Sequence, residues 1–562
     1  MKRGRDVIAI TVVLLFSAAV FLSRIQIFAV EALQWGQKDI QFLDALIKEN
    51  NQPARKKIID AHSAELTETW LNTACTFSYQ LKSNYDNDTG LKMTQVLEEI
   101  SRGKDLKQCI AAAQYARASI LYEYKYNYPM AEGLYLSALA IFKECNDPIW
   151  QARCLNWLGD IAFIRMNYPS AESYFQQAQN LYKISGSTLG EANCIKRFAD
   201  IAVQASDFNK AEKMYKKAMQ LYIQSESILG EANCYKRIGD INFQKSKLDG
   251  ALAMYQKALD LYAGAGSVLG EANVHKMEGE VAYSNDEMDV SGMHFNTALG
   301  KYRKIKSAQG EAYCLMKLGD IAKKHDAAHA ESLYKQAAGL YHGSGHPIEE
   351  AGCIKKQVDL ALMNAEYSKS DALTETALGV LKKSSNNLEI AKQIYGLAES
   401  SLEYGRLPLA EKLFQEAKSF YNKENKFIGD ANCLYKVGEI YLIKKNLDKA
   451  DSYYSSALVL YRKAPSPLGE ANCLAMKGDI LVKKSDYGRA KALFLKAMPL
   501  YTKSGAVLGE ANCVYSLGFI AHAAKDAKKA EVMYRKALLL YRQAGSTLGE
   551  QNCVHQLKDL GK

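Results

Sequence analysis

The sequence is poor in residues that interrupt helices, and it lacks the short motifs of common active sites. Only 9 of its 562 residues are proline, which favours a largely helical chain because proline breaks helix interiors. It contains no glycine-rich phosphate loop, no Gly-x-Ser-x-Gly and no His-Glu-x-x-His, the signatures of nucleotide, hydrolase and metalloprotease sites. We therefore expect a chain that is not an enzyme, takes no cofactor and has no small-molecule substrate.

Long blocks of basic residues are also missing. The chain has 72 Lys and Arg against 62 Asp and Glu, a net charge of +10, and its basic residues form only short clusters such as Arg55-Lys56-Lys57. A nucleic-acid-binding surface normally concentrates basic residues on one face or along one helix. The composition therefore predicts no nucleic-acid partner.

No Cys-x-x-Cys pair occurs among the 12 cysteines, which argues against a structural zinc site. Nine cysteines recur at one position of a repeating pattern, where we expect buried free thiols. Equivalent residues of stacked helical hairpins lie roughly 10 Å apart, whereas a disulfide needs Cα atoms within about 7 Å. One disulfide stays open among Cys75, Cys109, Cys145 and Cys154.

Histidines are also few, and the most closely spaced ones do not predict a metal site. They are His325, His329, His342 and His346. A predicted helix separates the two pairs by about 20 Å, at a rise of about 1.5 Å per residue. A single four-ligand site is therefore excluded, and we expect no bound metal.

What the sequence does contain is a repeat of 40 residues. Its opening motif, Leu189-Gly190-Glu191-Ala192-Asn193-Cys194, returns at later positions with the same spacing, beginning at Leu229, Leu269, Leu468, Leu508 and, slightly altered, Leu548. A fixed period of this length is typical of a stacked repeat architecture.

Each repeat predicts two helices. In residues 189–204 apolar residues recur at steps of three and four, which is the helical period, and Ser187 or Thr188 can cap the start. A second helix is predicted for residues 209–224, where Ala218 belongs to an alanine column that recurs eleven times, nearly always three residues after an aromatic. We predict about eleven helical hairpins, with aromatics filling the gaps beside small residues.

Residues from both helices of this repeat resemble a known family. The sequence resembles the tetratricopeptide repeat at Phe198-Ala199, Ala202, Phe208, Ala211, Tyr215 and Ala218. With the 40-residue length and the Leu-Gly-Glu-Ala opening, it is similar to the long-repeat subclass of Pins/LGN-type polarity adaptors and bacterial arrays. The resemblance implies an all-α, right-handed α-solenoid that serves as a non-enzymatic protein-binding scaffold.

We predict four segments. Residues 1–30 combine a basic start with an uncharged run, Val7–Leu22, which is typical of a signal-anchor or a signal peptide. Both readings stay open, and either one places the repeats on the non-cytoplasmic side, anchored in a membrane by the N-terminal helix or secreted to a space such as the periplasm. Residues 31–105 predict a helical leader that caps the solenoid, residues 106–547 the tetratricopeptide solenoid, and residues 548–562 a C-terminal capping helix.

The leader itself predicts three helices. They are expected at Gln37 to Ile47, Pro53 to Tyr79 and Leu91 to Ile100, and the polar stretch Asn84 to Gly90 predicts an exposed turn.

The resemblance places one polar stripe of each first helix in the concave groove of the solenoid. The position before the cysteine carries a column of asparagines, namely Asn193, Asn233, Asn273, Asn432, Asn472 and Asn512. An asparagine amide both donates and accepts, so it can pair with a peptide bond of an extended ligand. The alternative is that each asparagine bonds to the neighbouring hairpin.

Two further columns complete the candidate groove. The position six after the cysteine is acidic, and we select Asp200, Asp240, Glu439 and Asp479 as contacts, with Tyr435 and Tyr515 from the position two after the cysteine. The alternative for the acids is a pair with a lysine four residues earlier, which the second half mostly lacks. We expect a protein or peptide partner in this groove; docking through the outer surface, as a regulatory or assembly subunit, is the alternative.

Overall fold

The computed structural model describes residues 42, 45–49, 52–71, 74–75, 87–123 and 127–561, and these residues form helices and turns without a strand. The predicted signal segment, residues 1–30, lies outside the described residues. Within the described ranges, none of the helices is both long and apolar enough to cross a membrane.

The chain divides into two compact units, residues 1–270 and residues 271–562. Helices α1 to α10 lie in the first unit and have these bounds: α1 Gln52–Ala61, α2 Asn87–Gly103, α3 Lys107–Glu123, α4 Tyr128–Glu144, α5 Pro148–Ile164, α6 Tyr168–Ile184, α7 Thr188–Gln204, α8 Phe208–Gln224, α9 Ile228–Gln244 and α10 Leu248–Gly264.

The second unit contains the rest of the helices, the first of which begins three residues before the boundary. Their bounds are α11 Val268–Ser284, α12 Met288–Lys304, α13 Ala308–Ala322, α14 Ala327–Gly343, α15 Pro347–Met363, α16 Tyr367–Leu381, α17 Asn387–Glu403, α18 Leu407–Lys423, α19 Phe427–Ile443, α20 Leu447–Lys463, α21 Pro467–Lys483, α22 Tyr487–Ser504, α23 Val507–Ala523, α24 Ala527–Gln543 and α25 Thr547–Asp559.

Consecutive helices form antiparallel pairs, and the eleven predicted hairpins correspond to α3 through α24. The all-α solenoid fold is therefore confirmed. The bounds predicted for the two helices of residues 189–224 hold within one residue, because local capping determines them. Ser187 Oγ accepts from the backbone N–H of Gly190 at 3.3 Å, and Asp207 Oδ1 accepts from the N–H of Lys210 at 3.0 Å, so each side chain starts a helix.

Tyrosine and glycine pack against each other at eight of the junctions where one hairpin meets the next. A Cβ atom added to Gly230 would lie 2.2 Å from Cδ1 of Tyr222, so only glycine lets the tyrosine ring lie flat on the following helix. The same arrangement occurs at Tyr182–Gly190, Tyr262–Gly270, Tyr302–Gly310, Tyr421–Gly429, Tyr461–Gly469, Tyr501–Gly509 and Tyr541–Gly549. The glycine of the opening motif is thus a packing requirement.

A second glycine column accepts the other aromatic. A Cβ atom on Gly239 of α9 would lie 2.6 Å from Cε1 of Tyr255, which comes from α10 of the same hairpin and is fully buried. The expected complementarity between small residues and aromatics is confirmed.

All 12 cysteines are free thiols, and only Cys145 is not buried. The disulfide that the sequence left open is not formed. Burial raises the pKa of the Cys194 thiol to about 12, so the thiol stays protonated and acts as a small apolar side chain.

The leader differs from expectation in two places. The single helix predicted for Pro53 to Tyr79 is wrong, because α1 ends at Ala61 and a turn follows at residues 62–65. Thr67 Oγ1 accepts from the N–H of Trp70 at 3.2 Å and so caps a new helix. The exposed turn predicted for Asn84 to Gly90 is also wrong at its end, since α2 begins at Asn87.

Replacing Gly230 by alanine is expected to destabilise the chain by about 1–3 kcal/mol, because the new methyl group overpacks against Tyr222. Gly133→Ala is the matched control. Gly133 is an exposed helical glycine whose Cβ would meet nothing within 4 Å, so this change should stabilise by up to about 1 kcal/mol. Urea denaturation of the full-length chain followed by circular dichroism measures both. Equal effects of the two substitutions would contradict the packing argument.

Candidate functional site

The asparagine column is held by tyrosines of the second helices. The hydroxyl of Tyr222 in α8 donates to Oδ1 of Asn193 in α7 at 2.6 Å. The same bond joins Tyr262 to Asn233, Tyr302 to Asn273, Tyr461 to Asn432, Tyr501 to Asn472 and Tyr541 to Asn512, at 2.5–2.9 Å. Because each pair belongs to one hairpin, the expected bond to the neighbouring hairpin is wrong.

This tyrosine bond uses only half of each asparagine amide. The Oδ1 acceptor is engaged, whereas Nδ2 makes no hydrogen bond to the described part of the chain in any of the six residues. All six asparagines are half-buried or exposed. Each amide is therefore held in one orientation by its oxygen, and its two N–H donors are not used by the described part of the chain.

The acids of the first unit form ion pairs that connect neighbouring hairpins. Arg197 of α7 reaches back to Asp160 of α5, with Nε 2.8 Å from Oδ1, and it also pairs with Asp200 of its own helix at 3.2 Å. Arg237 of α9 repeats this, with Asp200 at 3.8 Å and Asp240 at 3.5 Å. The two predicted contacts Asp200 and Asp240 thus have structural partners inside the repeat array.

Hydroxyl groups of tyrosines in the second helices also bond to these acids. Tyr215 donates to Oδ1 of Asp200 at 2.5 Å, and Tyr255 donates to Oδ1 of Asp240 at 2.9 Å. Burial raises the pKa of Asp160, and the Arg197 guanidinium opposes that change. Buried carboxylates of this kind are retained only where such partners compensate their desolvation.

Similar pairs occur in the second unit. Lys317 lies 2.9 Å from Glu280, and Lys356 lies 2.9 Å from Asp320, in each case one hairpin back. Sequence reasoning missed this basic column, which stands three residues after the cysteine. The sequence did contain a signal for these pairs: each base stands three residues before the acid of its own helix, a spacing that places the two on one face.

The lysine four residues before the acid pairs as the alternative predicted, in at least two repeats. Lys236 lies 2.8 Å from Asp240, and Lys355 lies 2.9 Å from Asp359. These i, i+4 pairs add a few tenths of a kcal/mol, about 0.2–0.5.

The remaining predicted acids differ from each other. Glu439 pairs with Lys436 at 3.0 Å. Asp479 forms no ion pair with a described residue; its hydrogen-bond partner is Ser516, and burial raises its pKa to about 6. Asp479 is thus a half-buried carboxylate whose largest basic influence, Lys483, lowers its pKa less than burial raises it.

The two predicted tyrosines pack against other aromatic rings. The ring of Tyr435 packs edge-on against Tyr454 with centroids 5.2 Å apart, and Tyr515 packs against Tyr534 at 5.4 Å. Burial raises the pKa of Tyr435. Each tyrosine covers the second-helix aromatic of its own hairpin, so its ring is fixed in place.

A cleft that the sequence did not reveal lies in the first unit. It has a volume of about 700 Å³, and its lining includes Trp150, Trp157, Arg153 and Tyr115 together with Asn193. The Arg153 guanidinium lies 4.5 Å from the centre of the Trp150 ring, and Trp157 Nε1 donates to the Tyr115 hydroxyl at 2.8 Å. The sequence signal for this cleft was the pair of tryptophans in α5, which are seven residues apart and so lie on one face of the helix.

The first column residue, Asn193, lines this cleft. One predicted contact residue therefore lies in the same cleft as a group of aromatic side chains. The predicted residues of the second unit lie elsewhere, on α11, α19, α21 and α23.

These features define a helical-repeat scaffold in which a polar column recurs once per hairpin. The family model described as the tetratricopeptide repeat matches residues 150–224, 191–263 and 430–503, and these segments carry tetratricopeptide repeats. Proteins built from this repeat are in general non-catalytic scaffolds for protein binding. A search of curated proteins finds no match to this sequence.

Solved structures similar to this chain include three repeat proteins. The quorum sensor NprR from B. thuringiensis is 14% identical, with a TM-score of 0.45 over 61% of this chain and 97% of its own. A STAND signal transduction ATPase with a tetratricopeptide repeat sensor from Pyrococcus horikoshii is 13% identical, with a TM-score of 0.41 over 83% and 73%. A Rap protein complexed with competence and sporulation factor is 14% identical, with a TM-score of 0.39 over 67% and 99%.

Stability should fall as pH rises through the region in which Asp479 titrates. Its folded pKa of about 6 lies above the ordinary value of 3.8, so the folded state binds the proton more tightly, and stability is lost between about pH 4 and pH 6. We expect Asp479→Asn to be more stable than the parent chain by about 1–2 kcal/mol at neutral pH, with the difference shrinking towards pH 4. Urea midpoints at several pH values measure this.

Asp448→Asn is the control, because the Asp448 side chain is 90% exposed and its pair with Lys484 lies at the surface, where such pairs contribute little. A pH-independent difference between Asp479→Asn and the parent chain would contradict the assignment.

Proposed function

We propose that the chain binds an extended peptide segment of a partner protein along its asparagine columns. The observation that carries the proposal is the half-used amide: a tyrosine hydroxyl holds Oδ1 of Asn193 and of Asn233, and their Nδ2 donors make no hydrogen bond to the described part of the chain. Peptide carbonyls are the complementary acceptors. Because the amides are already oriented, little side-chain entropy is lost on binding.

The cleft supplies the apolar part of the proposed contact. Its aromatic lining and volume of about 700 Å³ lie in the range of pockets that accept apolar ligand groups. We infer that an apolar or aromatic side chain of the peptide enters between Trp150 and Trp157, while Asn193 pairs with the neighbouring backbone. Arg153 at the same wall favours a peptide with an acidic residue nearby.

The test separates the two roles of the asparagine. Asn193→Asp combined with Asn233→Asp keeps the oxygen that accepts from tyrosine but removes the Nδ2 donors. Peptides are selected from a random-peptide phage library on the full-length chain, and their affinities are then measured by tryptophan fluorescence. Two lost hydrogen bonds, at about 0.5–1.5 kcal/mol each, should weaken binding roughly tenfold, with helicity unchanged.

Asn180→Asp is the control for the added charge at each site, since Asn180 is an exposed residue of α6 outside the column; the two single variants Asn193→Asp and Asn233→Asp are compared with it. Equal affinities for the parent chain and the double variant would overturn the groove proposal. Failure to select any peptide that competes for the cleft would do the same.

A second candidate is docking through the leucine column on a larger assembly, as a regulatory subunit would do. The leucine of the opening motif is roughly half exposed in several repeats, with 44% for Leu468 and 48% for Leu508. In this case a partner from the native membrane fraction is retained by Asn472→Asp and lost by Leu468→Ser with Leu508→Ser. The opposite pattern would leave the groove as the binding surface.

We further propose that the repeats are held outside the cytosol, by an anchor or after export. The basic start and the uncharged run Val7–Leu22 support this. Carbonate extraction of native membranes followed by mass spectrometry of the N-terminus is the test. An anchored chain stays in the pellet and retains Val7–Leu22, and an exported chain is soluble and has lost this segment. A soluble chain that retains it would contradict both forms of the proposal.

A further inference from the structure

Three metal-ligating side chains meet inside one hairpin of the second unit. Glu278 of α11 receives contacts on the same carboxylate oxygen, Oε2, from Nδ1 of His275 at 2.9 Å and from Nδ1 of His294 in α12 at 3.1 Å. One ligand atom from each residue lies within 4.8 Å of the others. The Glu278 side chain is 9% exposed, and the two imidazoles are 17% and 24% exposed.

Comparison with the other repeats shows that this cluster is a departure from the pattern. The position of His275, directly after the cysteine position, is otherwise apolar or aromatic, as at Ile195 and Leu315. The position of His294, directly before the second-helix aromatic, is otherwise Leu, Met or Tyr, as at Leu333. Each histidine is therefore alone in its column.

Glu278 occupies a third column that is mostly apolar, as at Ile238. Burying polar groups where the fold accepts apolar ones costs stability unless they are well paired. Three such changes that converge on one point in one repeat indicate a selected site more readily than three unrelated changes.

The geometry suits a transition-metal ion. Two imidazoles and one carboxylate form a common three-ligand zinc set, and with bonds of about 2.0–2.2 Å the ligand atoms lie about 3.3 Å apart in a tetrahedral site. The two separations from Glu278, 2.9 and 3.1 Å, need to widen by only a few tenths of an ångström, and the ligand atoms of the two imidazoles lie within 4.8 Å of each other. The spacing of three residues between His275 and Glu278 places both on one face of α11.

We propose that His275, Glu278 and His294 bind a divalent transition-metal ion, zinc, with a fourth position open to water. In the hydrogen-bonded arrangement each imidazole carries its proton on Nδ1 and donates to Glu278. When the ion binds at Nδ1, that proton moves to Nε2, so each imidazole stays neutral. The ion joins α11 to α12, because its ligands come from both helices.

The decisive variant is His275→Leu with His294→Leu, which restores the residues of the next repeat, Leu315 and Leu333. Full-length chain in detergent is stripped with a chelator, loaded with zinc, dialysed and assayed by mass spectrometry of bound metal. We expect about one more zinc per chain in the parent than in the variant. Added zinc should raise the melting temperature of the parent only, since a ligand stabilises the state that binds it.

The double variant leaves Glu278 buried without its two histidine partners, so the same assays are run with Glu278→Leu added, which matches Leu318 of the next repeat. This triple variant should keep its helicity without metal, because the restored leucines fit apolar columns. His325→Gln with His329→Gln removes two exposed imidazoles and should leave the zinc content unchanged. Cobalt loading adds a spectroscopic readout: ligand-field bands without a thiolate charge-transfer band identify nitrogen and oxygen ligands. Equal zinc content in the parent and in His275→Leu with His294→Leu, or thiolate bands in both, would overturn the proposal.

Discussion

The repeat array depends on a tyrosine that recurs near the end of the second helix in most hairpins. The Tyr222 ring lies on Gly230 of the following hairpin, while its hydroxyl donates to Asn193 of its own hairpin. A single side chain thus connects a hairpin internally and to its neighbour. This explains two letters of the opening motif together: glycine is required because no Cβ fits under the ring, and asparagine because the buried end of a tyrosine needs an acceptor.

The same contact links architecture to binding. Since the tyrosine engages only the asparagine oxygen, the structural bond leaves the amide donors unused by the described part of the chain, and the proposed groove follows from the repeat without extra residues. The acidic column on the same helices is used differently. Arg197 and Lys317 draw the acidic column into pairs between hairpins, so most of the charge in this stripe is neutralised internally. Asp479 forms no ion pair with a described residue, and its hydrogen-bond partner is Ser516.

Departures from the repeat carry the individuality of the chain. The hairpin formed by α11 and α12 replaces apolar residues with His275, Glu278 and His294, and α5 contributes the paired tryptophans Trp150 and Trp157 to a cleft. In a periodic structure the neighbouring repeats show what each position needs for folding. A residue that breaks its column at the cost of apolar burial is therefore a better guide to function than one that follows it.

The sequence by itself determined the helical hairpins, their number and their bounds, because these follow from local periodicity and from capping residues such as Ser187. It also located the asparagine column, since a fixed period exposes equivalent positions. Tertiary structure alone decided which residues meet: Tyr222 reaches Asn193 across 29 residues, Arg197 reaches Asp160 across 37, and His294 reaches Glu278 from the next helix. Such contacts depend on how helices pack, on the rotation of each face and on side-chain length, none of which is encoded in a short stretch of chain.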